Sequence, residues 1–273
     1  MGSRINGWGG GVGGGSSIAS PAGGIGSGAG IQSRRLTTFD RSQADVPQKG
    51  LQLWSMGSNG TRLRTAEVEG GLVTSIRDFS GQNNLLAQSS KSRMPAAAEI
   101  SGVRAFQFDG SDVTTGANPA AFDFGTGDFT IALASYATTQ NGYIACVTNK
   151  GSLSTGNGWV VGRNTGRWLV GLFPGGAPSI IQTNSQYSDQ WNVVFARRSG
   201  TTLQLQVYRG QTLLETRTGT SAAAADGDSV AFGAFFDGSS ALNGYIADVL
   251  VYNRAIDATE RNAVLDYLKG KYA

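Results

Sequence analysis

Residues 243–272, NGYIADVLVYNRAIDATERNAVLDYLKGKY, carry a strand pattern that gives way to a helix pattern after a short break. From Tyr245 to Tyr252 nearly every residue is apolar, β-branched or aromatic, which predicts a strand buried inside a sheet. Asn253-Arg254 interrupts the run. Asp257 then stands three residues ahead of Glu260, the spacing at which two carboxylates each accept a backbone N–H at a helix start. Val264, Leu265 and Leu268 give the predicted helix one apolar face, and Gly270 is placed as its C-terminal stop. A closing strand and one short amphipathic helix need a broad partner, so the rest of the chain is expected to be sheet.

Upstream, strand signals recur. Gln48–Trp54, Phe106–Asp112, Phe122–Tyr136, Gly142–Thr148, Gly158–Arg163, Arg167–Phe173 and Ser179–Thr183 read as short strands. Trp191–Arg198, Thr202–Tyr208 and Thr212–Arg217 follow as a meander, turning at Ser199-Gly200 and Arg209-Gly210, and Val230–Phe236 leads to the closing strand. Short strands parted by turn residues, with one terminal helix, predict a β-sandwich over residues 48–273 and argue against a βαβ fold. Within Leu72–Asn84, Asp78, Ser80 and Gly81 have turn chemistry: short oxygen-bearing side chains accept backbone N–H groups, and glycine takes the positive φ. The functional alternative there is a bound Ca²⁺, although one carboxylate beside an amide supplies few of the about six to eight oxygens that ion takes.

Three pieces of this sequence resemble one family. Gly244–Ile256, the helix end Tyr267–Tyr272, and the block Val73-x-x-Ile76-x-Asp78-x-Ser80-Gly81-x-x-Asn84 are similar to signatures of the concanavalin A-like lectin/glucanase superfamily, in its laminin-G-like branch. The resemblance runs from Gln48 to the C-terminus. Ile76 stands where relatives usually carry an aromatic residue, and Arg209 where they often carry Asn. What the resemblance implies is an all-β, two-sheet antiparallel jelly roll with one short C-terminal helix, and a family in which many members bind sugars or act in adhesion. Its glucanases carry a catalytic strand of the form E-x-D-x-x-E, and no such pattern occurs here. The nearest approach, Glu67-Val68-Glu69 before Gly70-Gly71, suits an exposed turn.

Composition narrows the chemistry further. The 273 residues include no histidine, which removes the commonest general base and metal ligand and every Ser-His or Cys-His nucleophile pair. One cysteine, Cys146, lies in an apolar run and is expected to be a buried thiol, so no intramolecular disulfide forms. The net charge of +3 is too small to argue for nucleic acid. The opening residues hold no apolar run of the secretory type, so no signal peptide is expected, and no stretch approaches a membrane span. These features point away from an enzyme.

Glycine, at 41 residues, is about twice as frequent as the usual share of about 7%, and the excess is concentrated in the first thirty positions. Residues 1–47 therefore read as an extended Gly-rich arm and connector with no core of its own. A flexible tether is one reading. The other is an anchor: Trp8, Ile18 and Ile25 stand as isolated apolar plugs, and up to Phe39 the only charges are Arg4, Arg34 and Arg35. On the domain, Trp159, Trp168, Tyr187 and Asn184 are the glycan-binding candidates, because sugar sites combine aromatic rings with amides. Core packing is the favoured reading for both tryptophans, and Tyr187, in the polar loop Asn184–Asp189, is the ring expected to be exposed.

These observations converge on a non-enzymatic virion structural protein, a bacteriophage head decoration or tail-associated adhesin displayed at the virion surface. Its expected partners are other virion proteins through the arm and a host surface glycan through the domain, within a symmetric assembly. The alternative is a free carbohydrate-binding module of a larger protein, with the arm a linker. A glycoside hydrolase with an unusual site is the third reading.

Overall fold

The computed structural model describes residues 46–56, 66–117, 120–138, 141–152, 157–221, 227 and 229–272. The chain opens with β1 (Leu51–Met56), β2 (Ala66–Glu69), β3 (Leu72–Ile76), β4 (Leu86–Ala87), β5 (Ala96–Ile100) and β6 (Val103–Asp109). It continues through β7 (Thr114–Ala117), β8 (Phe129–Ala137), β9 (Tyr143–Thr148), β10 (Gly158–Asn164), β11 (Arg167–Phe173) and β12 (Ser179–Gln182). Last come β13 (Trp191–Ser199), β14 (Thr202–Arg209), β15 (Thr212–Thr220), β16 (Ser229–Phe232), β17 (Asn243–Tyr252) and α1 (Ala258–Tyr272).

All pairings are antiparallel, and they trace two sheets. The first runs β1, β17, β8, β13, β14, β15. The second runs β12, β11, β10, β9, β16, β7, β4, β3, β2. The β5–β6 hairpin links them: β5 meets β3 at Leu72–Ala96, and β6 pairs with the first residues of β17 beside β1. Because successive side chains alternate, one face of each sheet turns inward. Leu133, Val194, Leu205 and Val249 of the first sheet there meet Cys146, Val161, Trp168 and Val170 of the second, all buried. This is the expected jelly-roll sandwich.

The outer face of the first sheet is covered by α1. Val264, Leu265 and Leu268 pack on Trp54, Ala132, Ala134, Val193, Leu250 and Tyr252. A single helix of this length is marginal in water, so this burial, worth about 2 kcal/mol per large apolar side chain, is what holds it. Its start is the expected reciprocal cap: Glu260 N–H donates to Asp257 Oδ1 at 2.9 Å and Asp257 N–H to Glu260 Oε2 at 3.1 Å. Arg254 donates to both Glu260 oxygens, at 2.5 and 2.6 Å, and its Nε donates to Lys49 O at 2.8 Å, tying the helix start to the start of β1.

Four sequence expectations are corrected. The helix runs past Gly270 to Tyr272, because Tyr272 is buried and stacks on Trp191, centroids 5.3 Å apart. Glu67–Glu69 belongs to β2, and the turn lies at Gly70-Gly71, both with positive φ. The strand expected from Phe122 starts at Phe129; Phe124 instead stacks on Trp159 and Phe129 in a loop. The strand expected through Phe236 ends at Phe232. Gly233 follows with φ +85, where a side chain would collide with the Phe108 ring, and the chain folds Phe235 onto Ala145, Val160 and Leu169.

The Asp78 turn forms as a hub. Its carboxylate accepts from the backbone N–H groups of Trp54, Ser80 and Asn84, the Ser80 hydroxyl and the Asn84 amide. Those donors occupy the lone pairs that a cation needs, which corrects the Ca²⁺ alternative. Among the described residues no group of three or more His, Cys, Asp or Glu side chains is placed to hold a metal. Nor, among them, is any helix long and apolar enough to cross a membrane. Cys146 is buried as expected, and burial pushes its thiol up to about 12.

β17 contains a bulge. Opposite β8 the register steps between Ile246 and Asp248. Ile246 and Val249 point into the core, while Asp248, fully buried, turns to the helix side. There the Tyr267 hydroxyl bonds Asp248 and accepts from Trp54 Nε1 at 3.2 Å. Burial, then the Asp248 charge, keeps this phenol protonated far above its ordinary range. Tyr267→Phe removes the shared partner of two buried polar groups and is expected to cost about 1–3 kcal/mol, read as a lower denaturation midpoint with an unchanged m-value.

At the end of β6, Asp112 is 5% exposed, and its Oδ2 accepts from Asp109 N–H at 3.0 Å. Burial, reinforced by the Asp109 charge, raises its pKa to about 6 from 3.8. Between those values the folded state holds the extra proton, so stability falls as pH rises through the window. Asp112→Asn is expected to remove that slope, raising Tm at pH above 6 and changing little below 3.8, in a thermal series against pH.

Candidate functional site

Trp8, Ile18, Ile25, Arg34 and Arg35 lie outside the described residues. On the domain, Trp159 and Trp168 are fully buried in the inter-sheet core, which corrects their candidacy as sugar platforms. Both fall at inward positions of the alternation, Trp159 opposite Leu172 and Trp168 opposite Arg163. Trp159 Nε1 donates to Phe122 O at 2.9 Å. Trp168 lies under the Arg163 guanidinium, 5.4 Å from the ring centroid.

Trp168, Tyr187 and Asn184 are brought together at one end of the sandwich. Trp159 sits four residues further along β10 from Arg163, roughly 13 Å away. This corner is closed by its own hydrogen bonds. Arg163, fully buried, donates to Thr138 O at 3.1 Å, Gly166 O at 2.9 Å and Ser188 Oγ at 2.7 Å. Glu215 accepts from Asn184 N–H at 2.7 Å, Ser185 N–H at 3.3 Å and the Tyr187 hydroxyl at 3.0 Å. Tyr187 is thereby only 9% exposed, against the expectation of an open ring, and Asn184 alone of the four presents its side chain to solvent. Burial works to raise the Glu215 pKa, but these donors and Arg217 hold it below the usual range.

A second arrangement lies on the outer face of the first sheet, where α1 ends. The register sets Trp191 of β13 opposite Tyr136 of β8, Tyr136 opposite Tyr245 of β17, and Tyr245 opposite Gln107 of β6. The rings touch in sequence: Trp191–Tyr136 and Tyr136–Tyr245 centroids are each 5.9 Å apart, at interplanar angles of 68° and 82°. All four side chains are partly exposed. Thr138, Asn243 and Asp109 border the row toward the sheet end, and the Thr138 hydroxyl donates to Asn243 O at 2.8 Å. This juxtaposition of aromatic rings with amide, hydroxyl and carboxylate groups is the chemistry sugar recognition needs. Sequence reading passed over it, because each ring is one letter in a different strand. The available signal was their common parity with the outward-facing Ala134, Val193 and Ala247.

A family model described as the concanavalin A-like lectin/glucanases superfamily, of laminin G type, matches residues 108–260. The chain belongs to that superfamily. Among solved structures, the binding domain of paraclostridial mosquitocidal protein 1 superposes with a TM-score of 0.56 at 13% identity, covering 81% of this chain and 52% of that one. The binding domain of botulinum neurotoxin DC, in complex with SialylT, gives 0.53 at 13% identity, covering 81% and 52%. The receptor binding domain of botulinum neurotoxin D gives 0.55 at 10%, covering 80% and 53%. This superfamily member thus spans about half the length of those structures, and the likeness is one of fold. No curated protein sequence matches it significantly.

Glu215→Gln weakens the bonds that fold the 184–187 loop onto β15. The loss should be about 1–3 kcal/mol above the ordinary glutamate range, fading as pH falls through the depressed pKa, where the native carboxyl is itself protonated. Hydrogen exchange at the Asn184 and Ser185 amides is the readout, and faster exchange is expected.

Proposed function

We propose that this chain is a non-enzymatic structural protein of a bacteriophage particle, a head decoration or tail-associated adhesin. In this reading residues 1–47 anchor it to other virion proteins in a symmetric assembly at the particle surface, and the lectin-like domain binds a host surface glycan. The observation that carries the binding half is the aromatic row beside its polar border. Two neighbours of the same fold support it by their descriptions, one in complex with SialylT and one whose cell entry depends on two ganglioside molecules. The arm half rests on composition: spaced Trp8, Ile18 and Ile25 in a glycine background, followed by Arg34 and Arg35.

The non-enzymatic half rests on how the carboxylates are used. A glycosidase needs two of them flanking a bond, roughly 5–10 Å apart. Here Asp78, Glu215 and Glu260 are engaged by several donors each, and Asp123, Asp128 and Asp237 each accept a loop backbone N–H. Such carboxylates hold turns.

The test is limited proteolysis of the full chain, free and in its particle, followed by incorporation of a chain lacking residues 1–35. Cleavage before Leu36 is expected when free and suppressed in the particle, with Trp8→Ala weakening incorporation. Normal incorporation without the arm sinks the virion reading. A full chain retained by no surface on a glycan array sinks the lectin reading.

A further inference from the structure

Resting on that glycan-binding reading, we infer that the aromatic row holds an internal stretch of an extended, uncharged polysaccharide laid across the strands. Length is the first reason. The register continues from Gln107 to Ala96 of β5, whose side chain is small, so the strip crosses β13, β8, β17, β6 and β5. Five strands span roughly 19 Å, several sugar units rather than one terminal residue.

Periodicity is the second. The two centroid separations are both 5.9 Å, comparable with the length of one pyranose unit in an extended chain. Successive rings are steeply tilted, so they present alternating faces and edges to the C–H surfaces of successive sugars. Tyr272, stacked at 25° on Trp191, fixes one end of the row.

Unused hydrogen-bonding capacity is the third. Among the described residues, the hydroxyls of Tyr136 and Tyr245 and the amide of Gln107 make no hydrogen bond, and all three residues are partly exposed. They can serve sugar hydroxyls without breaking any contact of the fold. Charge is the fourth. No Lys or Arg lies in the row or in its Thr138–Asn243–Asp109 border, and the one charge of that border, Asp109, is negative. An anionic glycan meets repulsion there, whereas a neutral one does not.

The experiment is calorimetric titration of the full chain with laminari- and cello-oligosaccharides, from monosaccharide to hexasaccharide, with sialyllactose as the anionic comparator. Affinity for one neutral series is expected to rise at least about tenfold from disaccharide to tetrasaccharide and then level off. Tyr136→Ala and Tyr245→Ala should each lower it about tenfold, and Tyr245→Phe by less, with Tm values showing that the variants are folded. Equal affinity for mono- and hexasaccharide, preference for sialyllactose, or full affinity in both alanine variants overturns the inference while leaving a glycan-binding protein. Failure to bind every saccharide overturns both.

Discussion

Asp248 is the polar group around which the outer half of the molecule is arranged. It lies fully buried between the first sheet and α1, and a carboxyl group there is costly unless donors meet it. The bulge in β17 keeps it out of the inter-sheet core and delivers it to the helix side, where Tyr267 reaches it while also holding Trp54. Helix position follows from that contact. Once α1 is seated, Tyr272 lands on Trp191, so the far end of the helix shapes the border of the aromatic row. A polar constraint inside the fold thereby reaches the surface proposed for binding.

β17 supplies the second half of the same constraint. One of its edges pairs with β8 along its length, and the other is shared by β6 and β1. It thus joins the N-terminal strand, the linking hairpin and the central strands of the first sheet. The same register that closes the sandwich also lines up Tyr245 with Tyr136 and Gln107. Stability and the candidate surface come from one set of hydrogen bonds.

The two ends of the chemistry contrast. At the Arg163–Trp168–Tyr187 corner, polar groups face one another: the guanidinium takes two carbonyls and a hydroxyl, and Glu215 takes three donors. Such bonds tie the 184–188 loop down and bury most of the polar groups a ligand would need. On the aromatic row, two hydroxyls and an amide have no partner among the described residues, beside rings that support one another edge to face. Composition treats the two places alike, since both combine aromatic residues with amides. Their difference lies in where the hydrogen bonds go.

Much of the architecture was legible without coordinates. The reciprocal cap of Asp257 and Glu260, the apolar face of Val264, Leu265 and Leu268, the bounds of β11 and the Asp78 turn are short-range matters, decided by side chains within a few residues. Period-two alternation likewise marked most strands, and with them the sandwich. Which face of a strand meets the core is a different question, because parity becomes meaningful only when partners and register are known. Trp159 and Trp168 accordingly stayed open between core packing, the favoured reading, and a sugar site, and register placed both in the core. Trp191, Tyr136 and Tyr245, separated by up to 109 positions, became neighbours only through pairing. Gly270 failed as a helix stop for the same reason: burial of Tyr272 outweighed the local signal. Sequence alone determined the local elements and the class of fold, since those depend on nearby chemistry. Tertiary structure alone decided which aromatic rings are spent on the core and which stand together at the surface, since that depends on hydrogen-bond register between distant strands.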